Sequence, residues 1–188
     1  MSDLVPGRDC GGCTVCCTAL VVDTPEIQKA PGVTCKYCKG GCAIYETRYP
    51  VCRDYHCAWR KLDILDDSWR PDRSQVFTQF ERDNIPPGFG TDFGIGLLLI
   101  GDPGWTVRQD WFQQMVASGV MSDIAMFLCL PGPPGRQAVK MLLNTDEMRT
   151  AIQQGAMTAV LERAVLQLKR HDFKPAMMVH SGNNVGTA

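Results

Sequence analysis

The sequence predicts an α+β fold in which an N-terminal cysteine-rich module is followed by a small four-stranded sheet with two packed helices. Three observations carry that expectation. Nine of the ten cysteines fall between Cys10 and Cys57, so the first third of the chain is chemically unlike the rest. From residue 75 onward, stretches of period two and continuous apolar runs are separated by turn residues, as strands are. Two longer stretches, 107–119 and 145–169, repeat apolar residues every three or four positions, as helices do. The expected division is residues 1–73 for the module, 74–180 for the α+β domain and 181–188 for a polar tail expected to be disordered.

The cysteines read Cys10-x2-Cys13-x2-Cys16-Cys17, then Cys35-x2-Cys38-x3-Cys42, then Cys52-x4-Cys57. Two intervening residues make a tight turn that points both thiols of a C-x2-C pair at one ion. Two such pairs in separate segments mark the module as metal-binding. The expected metal ligands are Cys10, Cys13, Cys16, Cys17, Cys35, Cys38, Cys42, Cys52 and Cys57. The adjacent pair Cys16 and Cys17 makes a poor intrachain disulfide, since neighbouring residues reach disulfide geometry only with strain. Their side chains point apart, which suits them to two different ions, or to one ion with the other thiol beside it. Lys39-Gly40-Gly41 gives the backbone between Cys38 and Cys42 the freedom to take positive φ and bend round an ion.

Composition narrows the function classes. Hydrophobic residues at 45% and charged residues at 21% are ordinary globular values, which argues against wholesale disorder. The formal net charge is −1 and Lys and Arg are dispersed along the chain, so there is no basic stripe for nucleic acid. No apolar run reaches the length of a membrane span, and residues 1–9 have neither the basic flank nor the apolar centre of a signal peptide. A cytoplasmic protein that binds neither nucleic acid nor membrane is expected. In that reducing compartment a dense cysteine cluster is more often a metal site than a disulfide frame.

Between the cysteine segments, residues 19–22 read as a strand or knuckle edge. Asp23 or Thr24 is placed to cap a helix of one or two turns, with Pro25 at its first position, Glu26 near its positive end and Pro31-Gly32 as its stop. Residues 58–67 read as a short helix leading away from the last cysteine. Residues 68–74 read as a turn that closes the module.

Taken together, three segments resemble the YkgJ-type cysteine-cluster family. They are Cys13-x2-Cys16-Cys17, then Lys29-Ala30-Pro31-Gly32-Val33-x-Cys35-x2-Cys38, then Cys42-Ala43-Ile44-Tyr45-Glu46-x-Arg48 through Cys52-Arg53-x3-Cys57-x-Trp59. The resemblance spans roughly residues 8–73 and implies a zinc- or iron-chelating domain. It puts Cys10, Cys13, Cys16, Cys17, Cys35, Cys42, Cys52 and Cys57 at the family's cysteine positions, and Cys38 at a position that only some members fill. It implies no reaction, since most members lack an assigned one. One departure stands out: where the family has Arg-Pro before its Cys-Arg, Arg48 is followed by Tyr49 and the proline comes at Pro50. The turn into Cys52 is therefore expected to be shifted, while the cysteine spacing survives.

The metal itself is less determined. Nine thiolates fill two four-thiolate zinc sites with one left over, or hold three zinc ions if some sulfurs bridge. They also suit an iron-sulfur cluster, because Cys10-x2-Cys13-x2-Cys16 overlaps the start of the bacterial ferredoxin pattern, although its x3-Cys-Pro element is missing. Zinc is the first expectation, and iron, as a cluster or a mononuclear thiolate site, the second. His56 is an alternative donor, but nine thiols already exceed the eight that two tetrahedral sites need. Two zinc ions with eight thiolates carry a net charge of about −4, which Arg48 and Arg53 are placed to offset. Tyr45 and Trp59 read as walls that shield the cluster.

In the second half, Val76, Thr78 and Phe80 alternate with Phe77, Gln79 and Glu81 as a strand. Residues 84–92 form a loop and 93–100 a second strand, interior to the sheet. Gly88-x-Gly90-x3-Gly94-x-Gly96 is not a nucleotide loop, since its glycines lead into a strand instead of joining a strand to a helix. Val107, Trp111 and Met115, with Phe112 and Val116 beside them, form an amphipathic helix that ends near Gly119 and lies on the sheet. Residues 124–130 are a buried central strand, with Cys129 as a small core residue, and 138–143 are a fourth strand. Thr145 with Asp146 caps a long helix to about Lys169. Its apolar positions drift, so it either bends near Gly155 or is buried on two sides, the second against the module or a second subunit.

No Ser-His-Asp or Cys-His constellation is present, and most carboxylates sit in turns and helix starts, where capping explains them. The sequence leans toward binding over catalysis: zinc held in thiolate sites with a structural or interaction role. Metal ions are the expected ligands, and a protein partner or a homo-oligomer is the macromolecular contact it allows. The alternative is an iron or iron-sulfur redox or maturation enzyme, and a third reading is metal storage or transfer.

Overall fold

The computed structural model of the chain describes residues 4–83 and 85–179; the tail expected at 181–188 lies outside the described residues. Its first third is built of short elements. Helix α1 (Val15–Ala19) precedes a hairpin of β1 (Val22–Asp23) and β2 (Gln28–Lys29), in which Val22 stands opposite Lys29. Helices α2 (Pro50–Asp54) and α3 (Ala58–Lys61) follow, then a 3-10 turn at Asp67–Trp69 and α4 (Pro71–Ser74).

Two expectations are corrected here. The helix expected after Asp23 is the turn of the hairpin: Thr24 N donates to Ile27 O at 3.0 Å, and the Thr24 hydroxyl lies 3.3 Å from Ile27 N. A threonine side chain that bonds its own local backbone offers an alternative to the helix, and burial of Ile27 and Lys29 then selects the turn. The helix expected over 58–67 is a single turn. Trp59 Nε1 donates to Asp66 O at 3.0 Å, and the Asp66 carboxylate accepts from Ser68 N at 2.8 Å, so the chain folds back on the indole and starts a new turn.

The main sheet has the four strands that the periodicity predicts: β3 (Val76–Glu81), β4 (Gly94–Leu99), β5 (Ala125–Leu130) and β6 (Val139–Leu142), side by side in that order. β3 and β4 are antiparallel, as are β5 and β6. β4 and β5 are parallel, with Gly94 opposite Ala125, which requires a crossover. The crossover is α5 (Pro103–Thr106) followed by α6 (Asp110–Met121).

The long C-terminal helix is two helices, so three pack on the sheet where two were expected. Helix α7 (Asp146–Gln154) ends and α8 (Met157–Lys169) begins around Gly155, which takes φ +66°. Gly155 N donates to Ile152 O and Ala156 N to Ala151 O, the paired bonds of a Schellman stop. The drift of apolar positions marks the change of direction.

Alternation along the strands gives the sheet two buried faces. Val76, Leu97 and Leu128 face α6, α7 and α8, around Phe112 and Leu161. Phe77, Leu98, Ala125, Phe127 and Cys129 face the other way and are covered by Val15, Ala19, Leu20 and Tyr55 from the cysteine-rich segment. Trp59, Leu65 and Trp69 join the first face, where Trp69 meets Trp111 edge to face at 4.8 Å. Residues on both sides of position 73 therefore contribute to both clusters.

The second face is kept open by glycine. A Cβ on Gly94 would stand 2.6 Å from Ala125 O and 2.9 Å from Phe127 Cε2. Gly94→Ala is expected to destabilise the chain by about 1–3 kcal/mol, as overpacking does. A lower urea midpoint with an unchanged denaturant slope checks it.

Candidate metal centre

Three segments converge over the second sheet face. Cys13 N donates to Cys10 O at 2.8 Å, closing the first C-x2-C turn, and α1 carries Cys16 and Cys17. The following loop is stitched to that helix by Gly32 N to Thr18 O at 2.9 Å and Cys35 N to Cys17 O at 2.8 Å, which sets Cys35 beside Cys17. Gly32 takes φ +73°, and a Cβ there would stand 3.1 Å from Pro134 Cα, so this Pro-Gly step admits only glycine. Cys38 N donates to Cys35 O at 2.9 Å to close the second C-x2-C turn. Cys38 and Cys42 then pair as an antiparallel bridge about Gly40 at φ +73°, the bend the glycines were expected to make. Pro50 opens α2, which presents Cys52, and Cys57 immediately precedes α3.

Two cavities adjoin these segments. Seven of the nine thiols, all but Cys38 and Cys57, line one of about 130 Å³. Cys57 lines a second, of about 30 Å³, together with Cys10, Cys13 and Cys16. The tenth, Cys129, is 2% exposed within the sheet face, as a core residue, and its thiol is pushed up to about 12 by burial. All ten cysteines are free thiols.

The site is short of positive charge for so many sulfurs. Burial pushes the Cys13, Cys52 and Cys57 thiols above the ordinary range, and for Cys52 the sulfurs of Cys35, Cys17 and Cys42 add to it. Cys17 is raised first by its hydrogen bond with Cys16, so the two thiols meet instead of pointing apart as expected, and then by burial. Against this, backbone N–H groups of Val15 and Arg60 donate to the sulfurs of Cys13 and Cys57 and favour their thiolates. Such donors are what a metal-bound thiolate uses to spread its charge.

Two cations that sequence reasoning missed stand at the cavities. Lys29, only 6% exposed, lines the larger one; its Nζ donates to Thr18 O at 3.1 Å, to Ala30 O at 3.3 Å and to Leu20 O. Arg60 lines the smaller one, with Nη1 3.5 Å from Cys10 Sγ. The signal for Arg60 was a basic residue three positions beyond Cys57, within reach across one helical turn. Lys29 carried no such signal, since it becomes buried only because the expected helix is a hairpin.

Of the arginines singled out from sequence, Arg48 lines the larger cavity but is held over the Tyr45 ring at 3.8 Å and donates to Tyr45 O, while Arg53 is exposed. Tyr45 and Trp59 do form walls, one to each cavity. His56 borders the smaller cavity, and burial lowers its pKa. Arg8 is a further missed residue: its guanidinium ties the N-terminal segment to the carbonyls of Trp59, Leu62 and Leu65.

As the side chains stand, no group of three or more His, Cys, Asp or Glu among the described residues is arranged to hold an ion. Among the described residues, Tyr55 Oη and Arg60 Nε are buried donors without a partner, and both residues border the smaller cavity. A buried N–H or O–H left unpaired is costly, and a charged sulfur is the acceptor that this cavity offers.

No helix among the described residues is long and apolar enough to cross a membrane. Compared with known proteins, the chain matches no family model, no curated sequence and no solved structure.

Proposed function

We propose that this chain binds metal ions through the thiolates of its cysteine cluster, with zinc as the resident ion and a structural role for the sites. The observation that carries this reading is the gathering of seven of the nine clustered thiols about one cavity, with Cys57 joining three of them at a second. Cys10, Cys13, Cys16, Cys17, Cys35, Cys42, Cys52 and Cys57 would hold the ions. Zinc would supply charge neutralisation and four-way cross-linking. The motif resemblance to YkgJ-type proteins agrees with the donor set. The structural role is supported by position: the thiol-bearing segments form the cover of one sheet face, so linking them fixes that cover.

The test is metal analysis by mass spectrometry with an absorption spectrum, on protein purified without oxygen and without added metal. Two zinc ions per chain and no visible absorbance are expected. Iron with broad absorbance near ~400 nm would replace zinc with the iron alternative and its redox chemistry. Metal-free protein that takes up neither ion would overturn the reading.

A further inference from the structure

We propose that residues 173–179 form a clasp that holds the cysteine-rich segment to the sheet and, when released, opens the cleft beside Cys35. The clasp is made of backbone hydrogen bonds and stands whether or not the thiols hold metal.

Three stretches far apart in sequence meet at Gly135, in the turn between β5 and β6. Gly135 N donates to Pro31 O at 2.8 Å, in the loop that carries Cys35, and Gly135 O accepts from Ala176 N at 2.9 Å. The glycine takes φ +81° to face both neighbours, a conformation that other residues enter only with strain. Around it the C-terminal residues fix the turn. Gln137 N donates to Lys174 O at 2.8 Å, Arg136 Nη1 donates to Phe173 O at 3.2 Å, and Arg136 and Pro175 form an antiparallel bridge. Further along, Val179 N donates to the carboxylate of Asp23 in the β1–β2 hairpin. The stretch therefore runs from the sheet side onto the cysteine-rich segment and bonds to both.

Its hold is of a kind that opens locally. No residue of 173–179 is fully buried, and Met177 and Val179 are 85% and 83% exposed, so the stretch has hydrogen bonds but no apolar anchor. Segments with few buried apolar contacts and exposed hydrogen bonds open before the whole chain does. Next to Val179, Met178 lines a cleft of about 440 Å³ together with Glu26, Lys29, Cys35 and Lys36. Opening withdraws Met178 from that cleft and loosens the turn that presents Gly135 to Pro31.

The experiment compares the full chain with chains ending at Asp172 and at Val179, and with Ala176→Pro, which removes the N–H that meets Gly135, all in the same metal state. Two rates are read: hydrogen exchange at the Gly135 amide, which bonds Pro31 and not the clasp, and alkylation of Cys35 by iodoacetamide, mapped by mass spectrometry. In the chain ending at Asp172 both are expected to rise roughly ten-fold or more, with the amides of β4 and β5 as protected as before. Ala176→Pro is expected to raise both rates to a smaller extent, and the chain ending at Val179 to raise neither. No faster exchange at Gly135 in the chain ending at Asp172 or in Ala176→Pro would overturn the clasp, as would a rise shared by the β4 and β5 amides or matched in the chain ending at Val179. Faster exchange without faster alkylation would overturn its hold on the Cys35 cleft.

Discussion

Phe77→Ala is expected to cost about 3–5 kcal/mol, the range for emptying a buried aromatic site, and to loosen with it the metal sites proposed above. Phe77 is 1% exposed, sits opposite Leu98 in the sheet and lies 6.3 Å from the Tyr55 ring. It also backs the cavity that Cys57 shares with three other thiols. Removing the ring takes away the floor on which the cysteine module rests. Phe112→Ala is the control, because Phe112 is equally buried but belongs to the helix-covered face. Its cost in urea denaturation should be similar. Zinc release to a chelator under native conditions should be accelerated in Phe77→Ala and unchanged in Phe112→Ala. Equal release from both variants would show that the module does not depend on that face.

Cys13→Ser is expected to have the larger effect. Cys13 borders both cavities and lies in the first C-x2-C turn. Structural zinc contributes roughly 10–16 kcal/mol to small zinc domains, whereas whole domains are stable by only about 5–15 kcal/mol. If the chain binds zinc as proposed, losing one ion is expected to unfold the cysteine-rich segment. Trypsin should then cut after Lys36, Lys39 and Arg53, all exposed but set in ordered loops and helix, and the bared sheet face should bind an apolar dye. Cys129→Ala, at the buried tenth cysteine, should leave metal content unchanged. Native far-UV circular dichroism and full metal content in Cys13→Ser would refute this account.

The strands were legible because each has a strong local signal: alternation from Val76 to Glu81, and continuous apolar runs where β4 and β5 are buried on both faces. Double burial was itself a clue that something covers the second face, but nothing in the local pattern says what. Much of that cover is the cysteine-rich segment, whose residues Val15, Ala19 and Leu20 are too few and too irregular to show a period, joined by Ile85 and Phe89 from the loop after β3. At 22–29 Pro25 and Glu26 are good helix starters, and only tertiary burial of Ile27 and Lys29 makes the segment a hairpin instead. The thiols themselves were legible from spacing. Their grouping was not, because it depends on which segments the chain folds together.

The covered second face has a further consequence, for the lifetime of the chain. Phe77, Leu98 and Phe127 are almost fully buried, in part by a segment that brings only Val15, Ala19, Leu20 and Tyr55 besides its cysteines to that face. With metal held as proposed, newly made chains that find no ion would expose that surface beside an open, protease-sensitive loop. Quality control removes such chains in proportion to how often they open. Abundance would then track the supply of the ion without any change in synthesis, and the protein would report metal sufficiency simply by surviving.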